Sequence, residues 1–106
     1  MIRIDMEKNL NGFIVGYTVN GHAGFAPEGQ DIICSAVSTL TMVAINGLEE
    51  HLHREVSYEI SDGHMHVELK QTPDDLSQAI LATMEIGLKD LAEQYPKRVR
   101  IQEHRR

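Results

Sequence analysis

Short runs of alternating apolar and polar residues open the chain. Apolar residues at positions 2, 4 and 6 alternate with polar ones, the period of a half-buried β-strand. Asn11-Gly12 is a strong turn signal, and positions 13–19 are rich in β-branched and aromatic residues. These features predict a β-hairpin.

A helical period replaces the alternation from Ile32 onward. Apolar residues at positions 33, 37, 40 and 48 share one face of a helix, and Asp31 is a good candidate for its N-cap. We expect this helix to end between His51 and Arg54. Before it, positions 20–31 have three glycines and a proline, a composition typical of a loop. Long loops in small domains are usually functional or disordered.

The second half of the chain repeats this order of elements. Alternation at positions 56–60 and 65–69 around Asp62-Gly63 predicts a second hairpin. The segment Thr72-Pro73-Asp74-Asp75 predicts a helix start, with Thr72 as N-cap and Pro73 at the first helical position. The helical pattern runs to position 95, where a proline follows, and apolar positions 99 and 101 allow a short last strand.

The order ββαββα, with that short last strand, predicts an α+β fold in two layers. A mainly antiparallel sheet would have the two long helices on one face. A length of 106 residues predicts a single domain, 1–106. Small residues in both helices would allow close helix packing, within the domain or across a homodimer; they are Ala36, Ala44, Gly47, Ala79, Ala82 and Gly87.

Charge and composition exclude several classes of protein. A net charge of −6 argues against a DNA-binding domain, although five of the ten Lys and Arg residues lie in the last ten positions. That basic end predicts a solubilising tail or a handle for RNA or an acidic partner. A single cysteine excludes a disulfide framework. We find no signal peptide and no apolar window of membrane-spanning length, so we expect a cytoplasmic protein.

The single cysteine, Cys34, lies three positions after the proposed cap Asp31, in the first turn of a long helix. Unpaired amides and the positive end of the helix dipole would lower the pKa of a thiol there and could form an oxyanion hole. The alternative is a small buried hydrophobic residue, since free cysteine is often buried.

His22 ends the second strand and begins the glycine-containing loop that leads to Cys34. A strand end and a helix start joined by one loop can lie side by side, which is what a Cys–His pair needs. Asp31 would either cap the helix or orient His22, and Ser38 lies one turn after Cys34 on the same face. Gly21, Gly24 and Gly29 would let the loop hinge, or they serve turn geometry alone.

Other chemistry has little support in the sequence. His51, His53, His64 and His66 suggest a metal site, but nothing fixes the convergence of ligands that zinc needs. No phosphate-binding loop and no CxxC motif is present. We therefore expect no metal and no cofactor.

One stretch of the chain resembles a known family. Gly21-His22-Ala23, a glycine-containing loop and then Gly29-Gln30-Asp31-Ile32-Ile33-Cys34-Ser35-Ala36-Val37-Ser38 are similar to the ribosomal-processing cysteine proteases called Prp, or YsxB-like proteins. The family pattern is Gly-His-Ala followed by Gly-x-Asp-Ile-Val-Cys-Ala-Ala-Val-Ser. Ile33 and Ser35 are mild departures from it.

The resemblance implies a function and an assembly. Members of the family cleave the N-terminal extension from a large-subunit ribosomal protein of the L-twenty-seven family, and they are homodimers that meet through their helices. It implies Cys34 and His22 as the catalytic pair, and a mobile substrate loop at positions 23–30, which includes Ala23, Gly24, Phe25 and Gly29. The basic C-terminal residues would then make a weak contact with the ribosome.

A second hypothesis is a ribosome-associated, non-catalytic module whose loop binds a peptide. It predicts salt-sensitive binding and no cleavage. A third, a thiol-based redox or acyl-carrier role, needs a resolving thiol from a partner. Cleavage of a precursor by the wild-type chain distinguishes the first hypothesis from the other two.

Overall fold

The computed structural model describes residues 1–27 and 30–106, and within them a five-stranded sheet lies against two helices. The predicted α+β fold, with a mainly antiparallel sheet, is confirmed. The elements, in chain order, are β1 (Ile2–Lys8), β2 (Ile14–Asn20), α1 (Ile32–Asn46), β3 (Val56–Ser61), β4 (His64–Leu69), α2 (Asp75–Gln94) and β5 (Val99–Arg105). A π-helical turn, Gly47–His51, extends α1 to the predicted end of the first helix.

The strands lie in the order β3-β4-β2-β1-β5. Neighbours are antiparallel except β1 and β5, which run parallel from Ile2 opposite Val99 to Lys8 opposite Arg105. The predicted last strand is confirmed, but it is longer than expected, because β5 pairs along all of β1 and takes most of the basic C-terminal residues into the sheet. Arg106, just beyond β5, forms ion pairs with Glu7 and Glu68.

The core lies between one face of the sheet and the two helices. Alternate residues of β1 are buried there, as the period of two predicts. In β2 the pairing register with β1 shifts between Glu7 and Lys8, and Tyr17 in the middle of the strand is fully buried. Its hydroxyl donates to the main-chain carbonyl of Thr41 in α1 at 2.8 Å. This buried hydrogen bond joins α1, whose first turn contains Cys34, to the middle of the sheet.

Small residues let the helices approach closely. A Cβ at Gly47 would lie 3.1 Å from Cδ1 of Ile80, and one at Gly87 would lie 3.1 Å from Cδ1 of Leu40. The small residues at these two positions therefore serve packing within the domain.

The second helix begins two residues later than predicted. Its N-cap is Asp74, whose carboxylate accepts a hydrogen bond from the Ser77 amide at 2.9 Å. In return, the Ser77 hydroxyl oxygen accepts a hydrogen bond from the Asp74 amide at 3.0 Å. The prediction of Thr72 as cap and Pro73 as first helical residue was therefore wrong. The two hydrogen bonds between Asp74 and Ser77 form a complete capping box, which fixes the start of the helix there.

One helical segment is long and apolar enough to cross a membrane, by length and composition alone. Ile32–His51 spans 20 residues with a mean hydropathy of 1.5, so the expectation that no window reaches this length was wrong. Core helices pass the same test. Buried residues of this segment, including Ile33, Val37 and Ile45, belong to the core shared with the sheet.

Candidate active site

Asp31 organises the start of α1. Its Oδ1 accepts hydrogen bonds from the amides of Ile33 and Cys34, each at 3.0 Å, and its Oδ2 accepts the Phe25 amide at 3.1 Å. The carboxylate is therefore the N-cap of the helix, and it also binds the preceding loop. These bonds, that from Cys34 foremost, lower the pKa of Asp31.

Cys34 lies in the first turn of α1 and is partly buried. Burial raises the pKa of its thiol, the Ala23 amide opposes that rise, and the Asp31 carboxylate adds to it through its charge and a side-chain hydrogen bond. The expectation of a lowered thiol pKa was therefore wrong. The expected oxyanion hole from first-turn amides also fails for Ile33 and Cys34, whose amides are already bound to Asp31.

Ala23 brings a different amide to the sulfur. The residue is buried, and its N–H donates to Sγ of Cys34 at 3.3 Å. A donor in this position favours the thiolate over the thiol. The loop thus supplies the polar contact that the helix amides were expected to supply.

His22 follows the end of β2, and 60% of its side chain is exposed. Its ring lies against the β3–β4 turn, where a Cβ at Gly63 would come within 2.8 Å of Nε2. The same Nε2 is 3.7 Å from Oδ1 of Asp62. The carboxylate that faces His22 is therefore that of Asp62, while Asp31 is engaged with amides of the helix and the loop.

One open groove joins these side chains. A cavity of about 440 Å³ is lined by His22, Gly24, Ala26, Asp31, Cys34, Ser35, Ser38 and Asp62. A second lobe shares His22, Cys34, Ser38 and Asp62 and continues towards β3 and β4, where Val19, Val37, Ile60 and Met65 give it apolar walls. The groove is open to solvent along these side chains.

The remaining predicted site residues lie around this groove. Ser38 lines both lobes, Gly24 lines the first and Gly21 the second. Gly21 has a φ of +92°, and a Cβ there would meet the Met1 carbonyl oxygen at 2.3 Å, so the approach of the chain to His22 requires glycine. Phe25 packs edge-on against Tyr95. Gly29 lies outside the described residues.

Sequence reasoning missed residues that are distant in the chain. Asp62 and Gly63 were interpreted only as a turn, yet they contact His22. Arg98 was counted only as part of a basic tail, yet it donates to the carbonyls of Ala23 and Gly24. No local pattern indicates these contacts, because they depend on how the sheet is assembled.

Metal ligation has no support in the described part of the chain. Residues 1–27 and 30–106 contain no group of three or more His, Cys, Asp or Glu side chains that could hold a metal ion. His66 instead contacts Thr18 at 2.8 Å, and His64 contacts Asn20. Both histidines are accounted for by neighbours within the sheet.

Known proteins resemble this chain over nearly its whole length. The family model for cysteine protease Prp matches residues 1–100. The ribosomal processing cysteine protease Prp of Staphylococcus aureus is 30% identical over 104 residues, which cover 95% of this chain and 97% of that protein. Two crystal structures of the S. aureus protease, described as essential, also match.

The first, with a covalently linked product peptide, has a TM-score of 0.93 at 27% identity and covers 98% of this chain and 100% of that one. The second, with a substrate peptide, has a TM-score of 0.87 at 26% identity and the same coverage. This chain belongs to the cysteine protease Prp family.

Proposed function

We propose that this protease removes the N-terminal extension of a large-subunit ribosomal protein precursor of the L-twenty-seven family, with Cys34 as nucleophile and His22 as general base. One observation carries the proposal: Cys34 and His22 line the same open groove, in a chain whose fold matches a relative that was crystallised with a covalently linked product peptide. The name of that relative gives ribosomal processing as its activity.

The state of the thiol explains why a base is needed. Burial and the Asp31 carboxylate raise the pKa of Cys34, so the resting side chain is a thiol near neutral pH. As Sγ attacks the scissile carbonyl carbon, His22 takes the thiol proton, a C–S bond forms and the peptide C–N bond then breaks. His22 returns the proton to the leaving amine, and water hydrolyses the thioester.

Access to the groove fits a peptide substrate. Its open shape admits a main chain in extended form, and His22 and Cys34 both line it, the His22 ring being largely exposed to the groove. The apolar walls of the second lobe, which include Ile60 and Met65, lie beside the same two side chains. This arrangement supports a segment of unfolded polypeptide, such as an N-terminal extension, as the substrate.

Comparison of two forms of the ribosomal protein tests the substrate. We expect the extended precursor to lose one defined N-terminal peptide, measured by intact mass, and the mature protein to remain intact. A third substrate with the extension in scrambled order controls for simple accessibility. Equal cleavage of the native and scrambled extensions, or none of either, would contradict the proposed specificity.

We further propose that the protein is a homodimer that meets through its helices. The outer surface of α1 and α2 exposes large apolar side chains: Ile32, Val43, Leu76 and Ile86 are each at least 58% exposed. Contact with the helices of a second copy would remove these apolar side chains from water. Light scattering should give twice the chain mass for the wild type and a single chain mass for Val43→Glu. A monomeric wild type would refute the dimer.

Two expectations about the cell belong to the same proposal. A ribosomal protein precursor is made in the cytoplasm, so we propose that location for the protein. The exposed cations Lys97 and Arg100 would give a weak ribosome contact. This contact should weaken steeply as salt is raised. Salt-independent association, measured by sedimentation, would argue against it.

A further inference from the structure

Arg98 connects the far end of the chain to the loop after His22. It precedes β5, and its Nη1 donates to the carbonyl oxygens of Ala23 at 3.2 Å and Gly24 at 2.8 Å. One guanidinium nitrogen thus holds two consecutive peptide groups that are about 75 residues away in sequence.

The main chain of Arg98 gives this contact a firm base. Its carbonyl accepts a hydrogen bond at 2.8 Å from the amide of Ile2, the first residue of β1. Its own amide donates a hydrogen bond to the Tyr95 carbonyl at 2.9 Å. Val99, the next residue, is buried in the core. The side chain therefore extends from a turn whose main chain is fixed to the start of β1 and to the end of α2.

A second contact holds the loop at the same place. The Arg98 guanidinium lies 6.0 Å from the ring centroid of Phe25, within the range of a cation–π interaction. The Phe25 ring also meets Tyr95 edge-on, with centroids 6.2 Å apart. Asp31 accepts a hydrogen bond from the Phe25 amide as well.

These contacts fix the residue whose N–H faces the sulfur, although the N–H and the carbonyl of Ala23 belong to successive peptide groups. The N–H of Ala23 is directed at Sγ of Cys34, and the carbonyl of the same residue is held by Arg98. We propose that Arg98 is a positioning residue, which fixes the segment 23–25 so that the Ala23 amide stays on Sγ of Cys34. The expected effect of Arg98 on cleavage rests on the proposed function, whereas its expected effect on the Cys34 thiol does not.

Other charged or titratable groups lie around the thiol. Asp31 lies beside it at the start of α1, and the amino group of Met1 also acts on it through charge. His22 and Asp62 line the groove with it, from the end of β2 and from the β3–β4 turn. A test of Arg98 must leave these four groups unchanged.

Alkylation of Cys34 with iodoacetamide reports on the thiol directly. It is the single cysteine, so the rate as a function of pH gives the titration of one group. Arg98→Met keeps the aliphatic stem and removes the donors. We expect its titration midpoint to rise by about one pH unit, and alkylation at neutral pH to fall about tenfold, because a hydrogen bond to the thiolate is weakened.

Two further variants complete the design. Arg98→Lys keeps a cationic donor and should give an intermediate midpoint. Arg100→Ala removes an exposed cation two residues along β5 and should leave the midpoint unchanged. Cleavage of the ribosomal precursor by Arg98→Met should fall in parallel with alkylation at neutral pH.

An unchanged midpoint in folded Arg98→Met would overturn the proposal, whether or not cleavage falls. If this variant does not fold, hydrogen exchange of the Ala23 amide in the wild type decides. Protection above that of an unstructured chain supports the proposal, and exchange at the unstructured rate overturns it. Absence of cleavage by the wild type would refute the proposed function and leave the alkylation result standing.

Discussion

Replacement of Gly63 by alanine would test whether the β3–β4 turn places His22. Gly63 has a φ of +70°, and an added Cβ would lie 2.8 Å from Nε2 of the His22 ring. Ordinary contacts of this kind begin at 3.4 Å, so the ring must move by about 0.6 Å. Because the ring is the far end of an exposed side chain, it can move without disturbing the core.

Two effects of different size follow from this geometry. A non-glycine residue in the left-handed region costs about 1 kcal/mol. For a domain of this length that corresponds to a fall in Tm of about 5 °C. Displacement of a catalytic group costs far more in rate, since a 1 Å error in position can cost about a hundredfold. We therefore expect kcat/KM for the precursor to fall about tenfold.

Gly12→Ala is the matched control. Gly12 has a φ of +84° in the β1–β2 turn, and the atom nearest to an added Cβ is Nη1 of Arg105, at 3.8 Å. This variant should lose similar stability in a thermal melt and keep wild-type cleavage. Equal activity of the two alanine variants would refute the idea that Gly63 places His22. A much larger loss of Tm in Gly63→Ala would show instead that the turn matters for folding.

Three further predictions concern other parts of the molecule. Asp31→Asn should keep the helix cap and lower the pKa of Cys34, since the Asp31 carboxylate, together with burial, raises that pKa. Alkylation of Cys34 at neutral pH should then become faster, and a slower rate would contradict this prediction. Tyr17→Phe should lower the free energy of unfolding in urea by about 1 kcal/mol, because the buried hydrogen bond to the Thr41 carbonyl is lost. An unchanged urea midpoint would count against a stabilising role for that hydrogen bond. Hydrogen bonds, that from the Ser77 amide foremost, lower the pKa of Asp74 in the folded state. The stabilisation that the Asp74 carboxylate gives is therefore present above its unfolded pKa of 3.8 and is lost as pH falls through the folded pKa. The difference in unfolding free energy between wild type and Asp74→Asn should narrow below about pH 4, and a constant difference would exclude this role.

Local patterns predicted most of the fold. Alternation gave the paired strands, and helical spacing gave α1 and α2, because both periods report which face of an element is buried. The extent of β5 could not be predicted in this way. Its second half is polar and forms a strand because it pairs with β1, which lies almost a whole chain length away.

The site shows the same division between near and distant contacts. The link between Asp31 and Cys34 spans three residues and follows from helix capping, so it could be anticipated. Asp62 and Arg98 reach the site only through the assembled sheet. The sequence did not indicate that the pKa of the Cys34 thiol is raised, because burial of Cys34 depends on the tertiary fold and cannot be read from its position at a helix start.

Intact mass of the ribosomal precursor tests the central claim most directly. The precursor would be incubated with the wild type, with Cys34→Ala and with His22→Ala, each verified to be folded. If Cys34 is the nucleophile and His22 the base, only the wild type should remove a defined N-terminal peptide. Cleavage by Cys34→Ala would contradict the nucleophile, and cleavage by His22→Ala at the wild-type rate would contradict the base. No cleavage by any of the three, with the precursor still bound, would favour a peptide-binding module.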